Sequence, residues 1–313
     1  MRLLMYPAPD AAFVDAVRNV SPDVTVDVAD SEQQALERIV TADAMYGVIS
    51  PSLLAAAPRL RWIQTPMAGL ESYFFPELVD SNVIVTNQQG IFSDVIADHV
   101  MGLVLCFARG LHLAIRAQER RAWIRGIPTV HLADKTAGVV GLGGIGTEVA
   151  RRCAASGMRV IATDPVKTEK PDFVAELMPS DRLPDLLAAA DFVLVCVPQT
   201  PETTGLFAPE QFSLMKPTAY FINIGRGKVV SLHALTDALR NNIIAGAGLD
   251  VFEIEPLPRD HPLWSMPNVI ITPHMAGESM HIAERRLATV QENLRRYLAG
   301  EPMRNVVDKR RGC

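Results

Sequence analysis

His274, Arg226 and Glu255 are the side chains of this sequence whose types and settings best suit acid–base chemistry beside a fixed cation. An imidazole titrates near neutral pH and can both give and take a proton. A neighbouring carboxylate favours its protonated form. A guanidinium offers a planar fork that fits a carboxylate, which lysine does not match. Together they suit a step in which a double bond to oxygen opens. Negative charge then gathers on the oxygen, so a proton donor and a fixed cation are needed close by.

Location singles out His274 among the seven histidines. His99 and His112 lie in a long apolar helical segment, and His131 and His261 fall in loops. His233 sits early in "SLHALTDALRNN", a helix with Ser231 as its cap, and His281 begins the last helix. His274, in "NVIITPHMAG", directly follows a buried strand; the plainer alternative is a turn histidine with its ring in solvent. Arg226 stands in "GRG" after "AYFINI", with glycines on both sides to free it to point into a cleft; otherwise it is an ordinary loop arginine. Glu255, in "DVFEIEP", comes shortly after a third strand end, with Glu253 as a nearby competitor and a solvated acid as the alternative.

These strand ends belong to a larger pattern. "GLGGIG" (141–146) follows the strand "AGVV" and precedes a segment in which Ile145, Val149 and Cys153 recur at helical spacing, with Gly157 as a stop. A glycine triplet alone is weak, but strand, loop and helix in this order match a dinucleotide-binding turn. Gly141 permits the tight turn, Gly143 lets backbone approach a pyrophosphate, and Gly146 lets helix pack on strand. The unpaired amides of that helix would face the phosphates. Asp164 ends the next strand, 18 positions beyond Gly146, close to the roughly 20 expected for the acid that reads a ribose 2′-OH. Its alternative is a turn residue before Pro165. NAD is the expected cofactor, with Lys167 and Lys170 nearby keeping NADP open.

The elements around these residues read as two βα series. The first has strands at "RLLMY", "VTVDV", "YGVIS", "RWIQT" and "VIVTN", separated by polar or alanine-rich segments. One long helical segment, 93–123, follows. The second series has six strands: "TAGVVGL", "RVIATD", "DFVLVCVP", "AYFINIG", "IIAGAGLDV" and "NVIITP". Apolar runs without alternation suit strands covered on both faces, and six of them suit a doubly wound sheet. "AERRLATVQENLRRYLAG" reads as one amphipathic helix closed by Gly300.

With 49% hydrophobic residues the 313-residue chain can build two domains. A net charge of −5 without a basic tract disfavours nucleic acid and anionic membranes as partners. Cys106, Cys153, Cys196 and Cys313 show neither a CxxC pair nor metal-type spacing, so no metal is expected and a reducing cytosol suits them. The start reaches Pro7 and Asp10 too soon for a signal peptide, and the longest apolar run, Val100 to Ala108, is too short to cross a bilayer. A cytoplasmic protein is expected.

"GLGGIG…DP", "CVPQTPETTGLF", "INIGRGKVV", "AGLDVFEIEPLP" and "NVIITPHMAG" come in this order and spacing, and "VTNQQGIFSDVIADHVMGLVL" precedes them. Together they resemble the D-isomer-specific 2-hydroxyacid dehydrogenase family over nearly the whole chain. The resemblance implies an α/β fold, a doubly wound parallel sheet (Rossmann) cofactor domain inserted into a flavodoxin-like substrate domain, with a cleft between them. Substrate domain 1–97, cofactor domain 98–281 and a returning segment 282–313 are the expected bounds. It implies Arg226 on the carboxylate and carbonyl oxygen of a 2-oxo acid, His274 as proton donor in reduction and acceptor in oxidation, and Glu255 paired with His274. Amides near Ala68 and Gly69 would hold the substrate carboxylate. Asp250 would help position the nicotinamide, with Gly144, Ile145, Val197, Pro198, Thr203, Ile224, His274 and Gly277 along the cofactor. A homodimer is implied, with the stretch near Trp123 as a contributor.

Departures from the family pattern bear on substrate. Phosphoglycerate-specific members carry arginines after the third strand, where this chain has "VISPS" with Ile49 and Pro51, and their added C-terminal regulatory domain is not expected here; Arg59 or Arg61 could compensate. Glu255 stands where formate-oxidising relatives carry glutamine. "ESYFF" (71–75) either walls a larger side-chain pocket or simply packs the domain. Two rivals stand beside the NAD enzyme: an NADPH-preferring glyoxylate or hydroxypyruvate reductase, and a non-catalytic NAD(H)-sensing protein on the same scaffold.

Overall fold

The computed structural model describes residues 1–70 and 73–310. Glu71 and Ser72 of the "ESYFF" stretch, and Cys313, lie outside the described residues. The chain forms two compact units, residues 1–91 with 279–313 and residues 92–278.

In the first unit β1 (Arg2–Tyr6), β2 (Thr25–Val28), β3 (Ala44–Gly47), β4 (Trp62–Gln64) and β5 (Ile84–Thr86) form one parallel sheet in the order β2-β1-β3-β4-β5, the flavodoxin-like order. Short polar residues start its helices. Asp10 and Ser31 each accept an amide of the first turn. β3 lies earlier than "YGVIS" suggests. Ser50 caps a helix at Pro51–Ala55, and Gly47, at φ +135°, packs where a Cβ would overlap the Tyr6 carbonyl.

The C-terminal helix Ile282–Ala299 is closed by Gly300 at φ +69°. It docks by buried Val290 and Leu294 and by a buried polar chain. Trp62 Nε1 donates to Thr86 Oγ1, Thr86 donates to Gln64 Oε1, and Asn293 Nδ2 donates to that same oxygen, each at 2.8 Å. Pairing these buried groups avoids the penalty of about 1–3 kcal/mol for each one left unsatisfied.

In the second unit β6 (Thr136–Val140), β7 (Arg159–Thr163), β8 (Glu176–Met178), β9 (Phe192–Val195), β10 (Tyr220–Asn223), β11 (Gly246–Leu249) and β12 (Val269–Ile271) are all parallel. Their order is β12-β11-β10-β9-β6-β7-β8, a doubly wound sheet whose direction reverses at β6 and β9. The sheet has seven strands, not six. β8 is three residues at the sheet edge, too short to show a period in sequence. Core clusters built around Leu186, Phe212 and Phe221 and around Val104, Phe107 and Val149 pack against the strands.

The long helical segment is likewise two helices, Ser93–Ala108 and Leu111–Glu119, bent by 73°. Gly110 makes the break, at φ +64°, where a Cβ would run into the Ile127 side chain. Among the described residues no single helix is long and apolar enough to cross a membrane, although this bent pair passes by length and composition.

Candidate active site

β10, β11 and β12 end level, with Asn223 opposite Leu249 and Leu249 opposite Ile271. Adjacent strands lie about 4.8 Å apart, so the chain leaving all three emerges within roughly 10 Å. Arg226, Glu255 and His274 sit on these three exits.

Two of them meet directly. His274 Nδ1 lies 2.8 Å from Glu255 Oε2, and the other Glu255 oxygen accepts the Phe252 amide at 2.9 Å, which fixes the carboxylate in its own turn. With its proton held at Nδ1, the ring keeps Nε2 free for a ligand. The His274 side chain is 54% exposed, enough for one to reach it. Glu253, the competitor, instead accepts the Leu232 amide at 3.1 Å, at the start of the helix Leu232–Arg240 that Ser231 caps. Its charge complements the helix N-terminus.

His274 stands at φ +54°, a conformation costing a non-glycine residue about 1–2 kcal/mol. Asp250, 1% exposed, holds it there. The Asp250 carbonyl accepts the His274 amide at 2.8 Å. Its carboxylate accepts the Thr272 hydroxyl at 2.6 Å, the Met275 amide at 2.9 Å and the Ala276 amide at 3.0 Å.

Arg226 is half-buried and donates from Nη1 to the Gly225 carbonyl at 2.8 Å, while Asn223 Nδ2 donates to the Arg226 carbonyl at 3.1 Å. Its flanking glycines do not supply freedom, contrary to the sequence expectation. Gly225 packs its α-carbon on the Val197 carbonyl, and Gly227 packs so closely on Phe252 that a Cβ would overlap that carbonyl. Gly225 thus seats the arginine loop on the segment after β9, and Gly227 seats it on the loop that carries Glu255.

The glycine loop opens at the end of β6. Gly141 has φ +90°, and a Cβ on Gly146 would overlap the Gly141 carbonyl, so both are held by the turn itself. Gly143 is different, because a Cβ there would meet nothing within 4 Å. Open space thus stands over the N-terminus of the helix Gly144–Ala155, which no side chain caps. Gly144 lies against Ser93, and Ile145 begins the apolar face that packs on the core. Free first-turn amides beneath open space fit a pyrophosphate. Among the described residues no group of three or more His, Cys, Asp or Glu side chains is placed to hold a metal ion.

Asp164 is partly consumed by the protein. Its Oδ2 accepts the Leu142 amide at 2.8 Å, and Oδ1 accepts the Val166 and Lys167 amides at 2.9 Å each. Burial works to raise its pKa, but these amides and the Lys167 charge hold it below the ordinary carboxylate value. A depressed folded pKa contributes stability above the unfolded value near 3.9 and loses it as pH falls through the folded one. Asp164→Ala is therefore expected to lower urea-unfolding stability by about 2 kcal/mol at pH 7. That gap should shrink as pH drops below about 4; a gap unchanged down to pH 3 would contradict the assignment.

The remaining expected residues fall as follows. Val197 and Ile224 are buried at the ends of β9 and β10. Thr203 donates to the Pro198 carbonyl at 2.7 Å and closes the turn between them. Gly277 packs on Phe92. In the first unit Ala68 and Gly69 follow β4, and Asn87 pins the Ala68 carbonyl at 2.8 Å. Arg59 and Arg61 precede β4, at the opposite end of the sheet from Ala68 and Gly69, and Arg59 pairs with Asp43 at 2.8 Å. Ile49 is buried, with its amide on the Tyr73 hydroxyl. His99, set aside in sequence, places Nε2 3.1 Å from Thr272 Oγ1. Its signal was its spacing, at 99, 103 and 107 on one helix face with Leu103 and Phe107.

Residues 101–276 match the family described as D-isomer specific 2-hydroxyacid dehydrogenase, NAD binding domain. A glyoxylate reductase of Korarchaeum cryptofilum is 36% identical over 289 residues, 89% of this chain and 86% of that one. A D-isomer specific 2-hydroxyacid dehydrogenase of Xanthobacter autotrophicus Py2, solved with NADPH and MES, superposes with a TM-score of 0.86 at 33% identity, covering 100% of this chain and 99% of that one. The D-lactate dehydrogenase of Aquifex aeolicus, solved with NAD and lactic acid, gives 0.78 at 26% identity over 96% of each chain.

Proposed function

Because the chain belongs to the D-isomer specific 2-hydroxyacid dehydrogenase family, we propose that it reduces a small, unphosphorylated 2-oxo acid to the D-2-hydroxy acid with NADH, and runs in reverse with NAD. The observation that carries this reading is the 2.8 Å His274–Glu255 pair at a sheet edge shared with Arg226. NADH, when bound above the glycine loop, would supply the hydride that such a reduction needs. Arg226 binds the acid's carboxylate and draws charge toward its carbonyl oxygen. Protonated His274 gives its Nε2 proton to that oxygen as the C=O pair becomes an O–H bond; in oxidation the neutral ring takes the proton back. Glu255 holds Nδ1–H, which aims Nε2 and supports the positive ring.

Asp164 favours NADH, since a carboxylate accepts from a 2′-OH and repels a 2′-phosphate. The buried Ile49 and the occupied Arg59 argue for an acid without phosphate, and glyoxylate is the substrate named for a relative. We also propose a homodimer through the second unit, where Trp123 is 89% exposed and Ile115 and Trp264 line one groove of about 340 Å³. The test is NADH and NADPH oxidation by protein of measured mass, against glyoxylate, hydroxypyruvate, pyruvate and bulkier 2-oxo acids. Expected are twice the chain mass in light scattering, turnover on the smaller acids, and at least about tenfold preference for NADH, as about 1.4 kcal/mol of discrimination gives. NADH binding without turnover on any acid would overturn the enzymatic reading.

A further inference from the structure

We propose that His99 is a positioning residue for the His274 loop, acting through Thr272 and Asp250; this rests on the catalytic reading above. The placement begins with a glycine. A Cβ on Gly248 in β11 would meet Leu103 Cδ1 at 3.2 Å and Phe107 Cε2 at 3.3 Å, so the helix Ser93–Ala108 lies directly on that strand. His99 is one helical turn before Leu103, about 6 Å along the axis. Asp250 is two residues beyond Gly248, about 6.6 Å along the strand. The close approach therefore carries His99 to the strand end where the loop begins.

Proton accounting then sets a direction. His99 Nε2 is 3.1 Å from Thr272 Oγ1 and 3.8 Å from Asp250 Oδ1, and Thr272 Oγ1 is 2.6 Å from Asp250 Oδ1. An ionised carboxylate only accepts, so the single hydroxyl proton of Thr272 goes to Asp250. His99 must then carry its proton on Nε2 and donate it to Thr272. Donation into a hydroxyl strengthens the bond that the hydroxyl itself makes. The chain runs His99 to Thr272 to Asp250, and Asp250 grips the amides of Met275 and Ala276 beside the imidazole. With that donor gone, Thr272 is free to turn and the grip loosens. A misplacement of about 1 Å can cost about 10²-fold in rate, so a partial loosening fits a smaller loss.

The experiment compares His99→Leu with His99→Gln, whose side-chain amide can donate in place of Nε2. His99→Leu is expected to lower kcat by about tenfold with KM for NADH unchanged, and to speed hydrogen exchange at the Met275 and Ala276 amides. His99→Gln is expected to restore most of the rate and the protection. Wild-type kcat and exchange in His99→Leu, or equal losses in both variants, would overturn the proposal. Should the wild-type protein turn over no 2-oxo acid, exchange at Met275 and Ala276 decides the coupling on its own.

Discussion

His274→Ala is expected to reduce turnover of a 2-oxo acid by about 10³-fold, within the range for losing a positioned acid–base group, while NADH affinity stays within about twofold. The fall should be in kcat, because the proton that balances the developing oxyanion is needed only as the C=O pair moves to oxygen. The glycine loop sits at the end of β6, a different strand, and the substitution leaves it intact. Alanine is less at home than histidine at φ +54°, although Asp250 still grips Met275 and Ala276. His274→Asn is the companion variant, since asparagine tolerates left-handed backbone better and so separates a lost proton donor from a disturbed loop. Both variants should be slow. Turnover within tenfold of wild type in either one would remove His274 from the chemistry, and titration of NADH by fluorescence checks that binding survives.

The second large effect comes from a pair of glycines. Gly143→Ala is expected to fold with an unchanged urea midpoint yet bind NADH about 10²-fold more weakly, since its methyl stands in open space where a pyrophosphate would lie. Gly146→Ala puts its methyl into the Gly141 carbonyl, which is backbone and cannot turn aside. That variant should lose affinity and also about 1–3 kcal/mol of stability, the usual cost of overpacking. Calorimetric titration with NADH and urea unfolding of the same samples separate the two mechanisms. Wild-type NADH affinity in Gly143→Ala would show that the loop amides are not the phosphate cradle.

Much of this architecture was legible because the residues that matter follow apolar strands long enough to recognise. His274 comes three residues after Ile271, and of the two nearby glutamates it is Glu255 that lies 2.8 Å from its ring, a contact the spacing alone could not assign. What stayed hidden depends on tertiary contact. β8 is only Glu176–Met178, stabilised by pairing with β7 rather than by any pattern of its own. The break at Gly110 reads as a tolerated helix glycine until Ile127 is seen packed against it. The glycines beside Arg226 suggested mobility, whereas they mark places where two backbones touch. His99 looked like a polar lapse on an apolar face because its partner, Thr272, is 173 positions away.

Asp164 gives the last lesson. A carboxylate has about four acceptor sites, and three amides already occupy this one, leaving a single site on Oδ2. The group proposed to select the unphosphorylated cofactor is also the knot that ties the turn after β7 to the glycine loop. Retargeting the protein to the 2′-phosphorylated coenzyme is thus a matter of re-engineering the turn: a new cation must come together with a substitute acceptor for the Leu142 amide, or the phosphate cradle will shift as the ribose site changes.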